Sequence, residues 1–303
     1  MFDPLVVAFG LGVGVLVGLT GIGGGSLMTP LLILFAGVQP VVAIGTDLAY
    51  GAVTKTVGGW RHFRKGTVDL GLSKWLAVGS VPGAIVGVII VNRLHASYGN
   101  GFDDVLLLCI AAALAIVGTT VLLRALFMPK LVERERETLE LTSRGRVGAS
   151  SMGFVLGALV GGTSVGSGAL IGLVLILVFR LTPRRVVGTD VFHAAVLLWV
   201  AGVAHWIAGS VDLLLMGNIL IGSLPGVVIG TALIDRVSAT ALRPALGCVM
   251  LGSAMGVLKK AGPEVPGWAI VAVPLGAGVV SYVVTRRRRV AGVAVSPSVP
   301  GSA

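Results

Sequence analysis

Residues 18–30 read GLTGIGGGSLMTP and residues 161–173 read GGTSVGSGALIGL, each a knot of glycine and hydroxyl residues interrupting an otherwise apolar run. In the first, Gly21, Gly23, Gly24 and Gly25 fill four of five positions. Each glycine costs a helix about 1 kcal/mol relative to alanine, so a helix ends there. At membrane depth such a break is tolerated only where the backbone is buried in protein or lines a wet cavity. The apolar segments that follow, 26–37 and 169–179, are too short to cross about 30 Å of hydrocarbon at roughly 1.5 Å per residue, and read as half-helices.

The surrounding composition requires a membrane. Only 12% of the 303 residues are charged, 55% are apolar and the mean hydropathy is +0.99. A soluble domain carries about 25% charged residues, so a water-facing surface cannot be built from this chain. Apolar segments run over 4–20, 26–37, 41–58, 71–92 and 103–127, then over 148–162, 169–179, 186–206, 212–234 and 240–258, with one more at 267–285. The expected fold class is an all-α polytopic integral membrane protein, in the cytoplasmic membrane of a prokaryote. The start, MFDPLVVAFG, has no basic n-region, so no removable signal peptide is expected.

A shift of 143 positions aligns residues 14–96 with 157–239 without a gap, with 32 identities in 83 pairs. Gly45, Thr46 and Asp47 fall on Gly188, Thr189 and Asp190, and His62 and Asp69 on His205 and Asp212. This is an internal duplication. The basic RHFRK at 61–65 matches the uncharged AHWIA at 204–208, whereas the uncharged AGVQP at 36–40 matches FRLTP at 179–183, extended by Arg184 and Arg185. Lys and Arg collect on the cytoplasmic side, so corresponding loops lie on opposite faces and the repeats are expected to be inverted. The expected organisation is repeat 1 over 1–127, a cytoplasmic linker over 128–147, repeat 2 over 148–260, an extra segment with its basic end over 261–289, and a disordered tail over 290–303.

The net charge of +10 lies between apolar runs rather than on one folded face, which fits loop orientation and excludes nucleic acid as a partner. Cys109 and Cys248 lack metal-ligand spacing and read as buried thiols; no metal site and no cofactor is implied. Trp60, Trp75, Trp199, Trp206 and Trp268 mostly flank segment ends as interfacial anchors, and His62 and His205 read as interfacial too, while His193 lies inside a segment.

Chemistry concentrates at the breaks. A helix N-terminus carries about half a positive charge and free N–H groups, so two breaks brought together favour an anion. Gly23, Gly24, Gly25, Ser26, Gly166, Ser167 and Gly168 are the candidate donors. The bland alternative is that these glycines only let helices pack closely. A phosphate loop would need a strand, and none is visible. Asp47 and Asp190 each follow a threonine inside an apolar helix, where a charge costs about 2.5–3.5 kcal/mol or more. They are expected to bind a coupled proton or cation, with Thr46 and Thr189 offering hydroxyls to substrate; the alternative is that each carboxylate caps a broken helix. Lys55, with Leu198 at the equivalent position, is expected to snorkel towards the basic loop, attraction of the anion being the alternative.

GLTGIGGGSLMTPLL, PVVAIGTDL, WRHFRKGTVDLGL and GSVPGAIVG together resemble the TauE/SafE family of sulfite and organosulfonate exporters, over about residues 5–260. The resemblance implies a permease of sulfur-containing or carboxylate anions. Two departures stand out: Asp47 and Asp190 replace the serine that commonly follows the Gly-Thr pair, and the second glycine motif is GTSVGSG. The expected function is therefore secondary transport of small sulfur oxyanions across a lipid bilayer by alternating access, without catalytic chemistry. A cation or metal permease using Asp47 and Asp190 as ligands is the alternative.

Overall fold

The computed structural model describes residues 2–20, 25–127, 141–233, 239–262 and 265–293. Among these, eleven helices and no strands form, one on each apolar segment. They are α1 (Pro4–Thr20), α2 (Gly25–Leu34), α3 (Pro40–Arg64), α4 (Leu70–Tyr98), α5 (Asn100–Phe127), α6 (Ser143–Thr163), α7 (Ala169–Leu177), α8 (Pro183–Ile207), α9 (Leu213–Ala232), α10 (Ala239–Lys260) and α11 (Gly267–Val293). The helices α2 and α7 are short, 10 and 9 residues, as the breaks require. Several ends overrun the apolar pattern, α3 and α4 by six residues each at their C-termini. Thr142 accepts the Gly145 N–H and starts α6 at Ser143, ahead of the apolar run, while α11 continues four residues into the stretch read as tail.

The halves interlock. Helix α1 packs on α9 and α4 on α6, while α3 packs on α8 and α5 on α10. Exchanging α1–α5 for α6–α10 leaves this set of pairings unchanged. Glycine makes the first two contacts possible. Gly79, Gly83 and Gly87 of α4 face carbonyls of Ser150, Phe154 and Ala158, and Gly153, Gly157 and Gly161 of α6 face those of Leu76, Ser80 and Ala84. Gly10, Gly14 and Gly18 of α1 and Gly222, Gly226 and Gly230 of α9 repeat the ladder. A Cβ on any of the twelve would stand 1.8–2.5 Å from a carbonyl oxygen, so the four-residue spacing lets backbones touch.

Away from the ladder, α4 turns Ile85, Val86, Ile89 and Ile90 outward. With both faces apolar, these helices suit lipid on one side and protein on the other. Among the described residues, four helices are long and apolar enough to cross a membrane: α4, the Gly101–Arg124 part of α5, the Arg184–Ile207 part of α8, and α9. Cys109 is exposed and Cys248 half-buried, which corrects the expectation of buried thiols. Outward positions of a lipid-facing helix are themselves apolar surroundings, so a thiol needs no protein core there.

Candidate functional site

Helix α6 ends at Thr163 with Ser164 in the left-handed region (φ 60°), and the chain turns through Gly166 (φ 104°) to start α7 at Ala169. A Cβ at Gly166 would be strained by φ and would meet Leu170 Cδ1 at 2.9 Å, so glycine is required. The left-handed turn aims Ser164 at α3, and its hydroxyl donates to Asp47 Oδ2 at 2.7 Å. Thr29 of α2 donates to the same oxygen at 2.5 Å. Helix α2 and the α6–α7 turn, one from each half, are thereby tied to one carboxylate oxygen of a residue that is 1% exposed, while its Oδ1, like that of Asp190, has no hydrogen-bond partner.

The equivalent carboxylate is surrounded differently. Under the 143-residue shift Thr29 corresponds to Gly172, so α7 has no hydroxyl to give Asp190. A cavity of about 60 Å³ opens there, between the end of α1, the C-terminal part of α5, the first turn of α7 and α8. Thr20, Thr120, Arg124, Gly168, Gly172 and Asp190 line it, with apolar neighbours that include Val121 and Val186. Asp190 is 6% exposed, and its Oδ1 has no hydrogen-bond partner. Arg124 lies close by, since a Cβ at Gly172 would stand 3.6 Å from its Nη1 and 3.9 Å from Asp190 Oδ2. No side chain caps the N-terminus of α7, and its first residues, Gly168 and Ala169, line this space.

Lys55 is buried, not snorkelled. Its Nζ donates to the Ser167 carbonyl at 2.5 Å and lies 3.3 Å from Ser167 Oγ. It sits within electrostatic reach of both Asp190 and Asp47, and Arg124 within reach of Asp190. Buried carboxylates need such compensation, which holds the lysine inside rather than at the basic loop.

The remaining expected site residues fall as follows. Thr20 at the end of α1 and Gly168 in the second break line one cavity. Gly23 and Gly24 lie outside the described residues; Gly25 opens α2, and Ser26 is buried in its first turn. Gly166 shapes the turn, and Ser167 holds Lys55. Thr46 and Thr189 are buried away from the cavity: Thr46 Oγ1 accepts the Asp212 N–H at 3.0 Å, and Thr189 Oγ1 accepts the Asp69 N–H at 2.9 Å. Asp69 and Asp212 in turn cap α4 and α9. These two threonines fasten each half to the other.

Two histidines are also inside. His205 Nε2 meets the Gly161 carbonyl at 2.9 Å, and its Nδ1 meets Asn92 Nδ2 at 3.2 Å, which assigns a neutral ring protonated on Nε2. Asn92 also accepts from the Ser210 hydroxyl. The interfacial expectation for His205 is thus corrected: a polar partner on α6 and another on α4 satisfy the ring in the interior. His193 Nε2 pairs with Ser80 Oγ at 3.1 Å, away from the cavity.

Sequence reasoning missed Arg124, Thr120 and Thr20. Arg124 falls near the end of the apolar segment 103–127, where an arginine has the signature of an orienting loop charge. The discriminating signal was available: Gly172 in place of Thr29 leaves a gap beside a carboxylate.

A family model described as sulfite exporter TauE/SafE matches residues 6–257. The chain belongs to this TauE/SafE family. It is 36% identical over 253 residues to the probable membrane transporter protein YjnA of Bacillus subtilis (strain 168), covering 84% of this chain and 98% of that protein. It is 26% identical over 244 residues to YdhB of the same organism, covering 78% and 95%, and 27% identical over 262 residues to a probable membrane transporter protein of Xylella fastidiosa, covering 84% and 95%. No solved structure matches. This TauE/SafE chain is a multi-pass membrane transporter.

Proposed function

We infer that the protein is a secondary transporter of small sulfur-containing anions such as sulfite or organosulfonates, bound in the cavity at the start of α7. The supporting observation is the convergence there of an uncapped helix N-terminus, the Arg124 guanidinium and a buried carboxylate with an unpartnered oxygen. A sulfonate spreads one charge over three acceptor oxygens, which suits several N–H and hydroxyl donors arriving from different helices. Lys55, Arg124, Asp47 and Asp190 sum to zero when all are ionised. Adding a monoanion unbalances the site by one charge, and a proton on Asp190 restores neutrality. Asp190 therefore carries the coupled proton, and Asp47, held by Thr29 and Ser164, braces the two junctions.

The duplicated sequence, the reversed loop charges and the exchange-invariant helix pairing support two inverted repeats around this site, with alternating access by movement of helix pairs that each draw on both halves. The glycine ladders make rigid pairs, α1 with α9 and α4 with α6, each built from both halves.

The unpartnered Asp190 oxygen favours one other reading, a cation held by Asp190 with Thr20 and Thr120. The experiment that separates them is uptake into proteoliposomes of radiolabelled sulfite, taurine, sulfoacetate and sulfate, with and without a pH gradient, against a divalent-cation control. Saturable anion uptake stimulated by the gradient is expected. Cation uptake with no anion uptake would overturn the anion reading.

A further inference from the structure

The anion reading leaves Lys55 without a role in binding, because its ammonium faces the Ser167 carbonyl rather than the cavity. That carbonyl belongs to the same peptide unit as the Gly168 N–H. In a trans peptide the two bonds are fixed in one plane and point in opposite directions. Holding the oxygen towards Lys55 therefore turns the Gly168 N–H the other way. Gly168 lines the cavity, and among the described residues no acceptor takes its N–H. Gly168 also has no Cβ, so nothing of its own shields that amide.

We propose that Lys55 is a positioning residue that locks the Ser167–Gly168 peptide so that the Gly168 amide points at the bound anion. The break has few other constraints: Val165 N–H reaches Thr163 Oγ1 at 3.2 Å and Leu170 N–H reaches the Gly166 carbonyl at 3.2 Å, and neither fixes the 167–168 plane. Without the ammonium the plane is free to turn, and a carbonyl oxygen facing the site would repel the anion it should attract. The device exists in one half only, since Leu198 stands where a second lysine would be. Substrate contact is thereby concentrated at the second break. This inference rests on the anion reading above.

Ser167–Gly168 is the only Ser-Gly dipeptide in the sequence. Protein labelled with 13C-carbonyl serine and 15N-glycine therefore gives one signal for that peptide bond in detergent or nanodiscs. Sulfite titrated into wild type is expected to move the Gly168 amide resonance, and Lys55→Met is expected to shift the Ser167 carbonyl, abolish the sulfite response and raise the uptake KM roughly tenfold or more, the cost of one charge-supported hydrogen bond. Lys55→Arg, which keeps a cationic donor, should recover part of the KM. Sulfite uptake by wild type with an unmoved Gly168 amide would overturn the proposal while leaving the anion reading in place, and that measurement does not depend on any variant folding. Lys55→Met with an unchanged KM would also overturn it. No uptake or binding of any anion by wild type would instead sink the anion reading.

Discussion

Gly172 offers a perturbation that separates blocked transport from broken fold. A methyl group there would sit 3.6 Å from Arg124 Nη1, 3.9 Å from Asp190 Oδ2 and 3.9 Å from Val186 Cγ1, all ordinary contact distances. Gly172→Ala therefore strains nothing, and as a helix residue alanine is favoured over glycine by about 1 kcal/mol, so thermal stability should hold or rise slightly. The methyl nevertheless occupies the space between the guanidinium and the carboxylate. One methylene in a binding pocket is worth about 1–3 kcal/mol, or roughly 10–200-fold in kcat/KM. Gly172→Thr goes further, because it copies into α7 the Thr29 hydroxyl that donates to Asp47 Oδ2, and so sets a competing donor beside Asp190 Oδ2. Anion uptake into proteoliposomes, read beside unfolding temperature in detergent, is the assay. Ala should reduce uptake by at least tenfold and Thr should nearly abolish it, both at unchanged or higher unfolding temperature. Full uptake by Gly172→Thr would show that substrate passes elsewhere, and the site assignment would fall.

Other outcomes follow from the same geometry. Gly83→Ala and Gly157→Ala each place a Cβ 2.2 Å from a backbone oxygen of the facing helix, so each should destabilise the protein by about 1–3 kcal/mol, seen as a lower unfolding temperature; an unchanged value would contradict the close α4–α6 contact. Asp190→Asn should remove stimulation of uptake by a pH gradient, whereas Asp47→Asn should retain it and lower thermal stability; the reverse pattern would exchange their roles. Asn92→Ala leaves His205 Nδ1 and the Ser210 hydroxyl without a partner in the interior and should cost about 1–3 kcal/mol in detergent unfolding with little change in substrate KM.

The segment pattern and the two breaks could be read directly from residue order. A glycine cluster ends a helix wherever it is placed, and a run of 20 apolar residues needs lipid whatever its neighbours are. The duplication was also legible, since identity at a fixed shift is a property of the string. The roles of single polar residues were not. Thr46 and Thr189 sit beside the carboxylates in sequence, yet their hydroxyls meet amides 166 and 120 residues away. Lys55 near a basic loop and Lys55 on a buried carbonyl have the same sequence signature, because the Ser167 carbonyl and the Asp190 charge reach it only after α3, α7 and α8 come together.

Sequence by itself thus determined where the helices run, where they stop and that one half is a copy of the other, because those features depend on each residue's own preference for helix, lipid or turn. Tertiary structure decided which copy keeps an open site. Both halves carry a buried aspartate, but Thr29 fills the place beside one and Gly172 leaves the place beside the other empty. That difference takes effect only once the half-helix is packed against α3 or α8, where the Thr29 hydroxyl reaches Asp47 and the absent side chain of Gly172 leaves Asp190 beside a cavity.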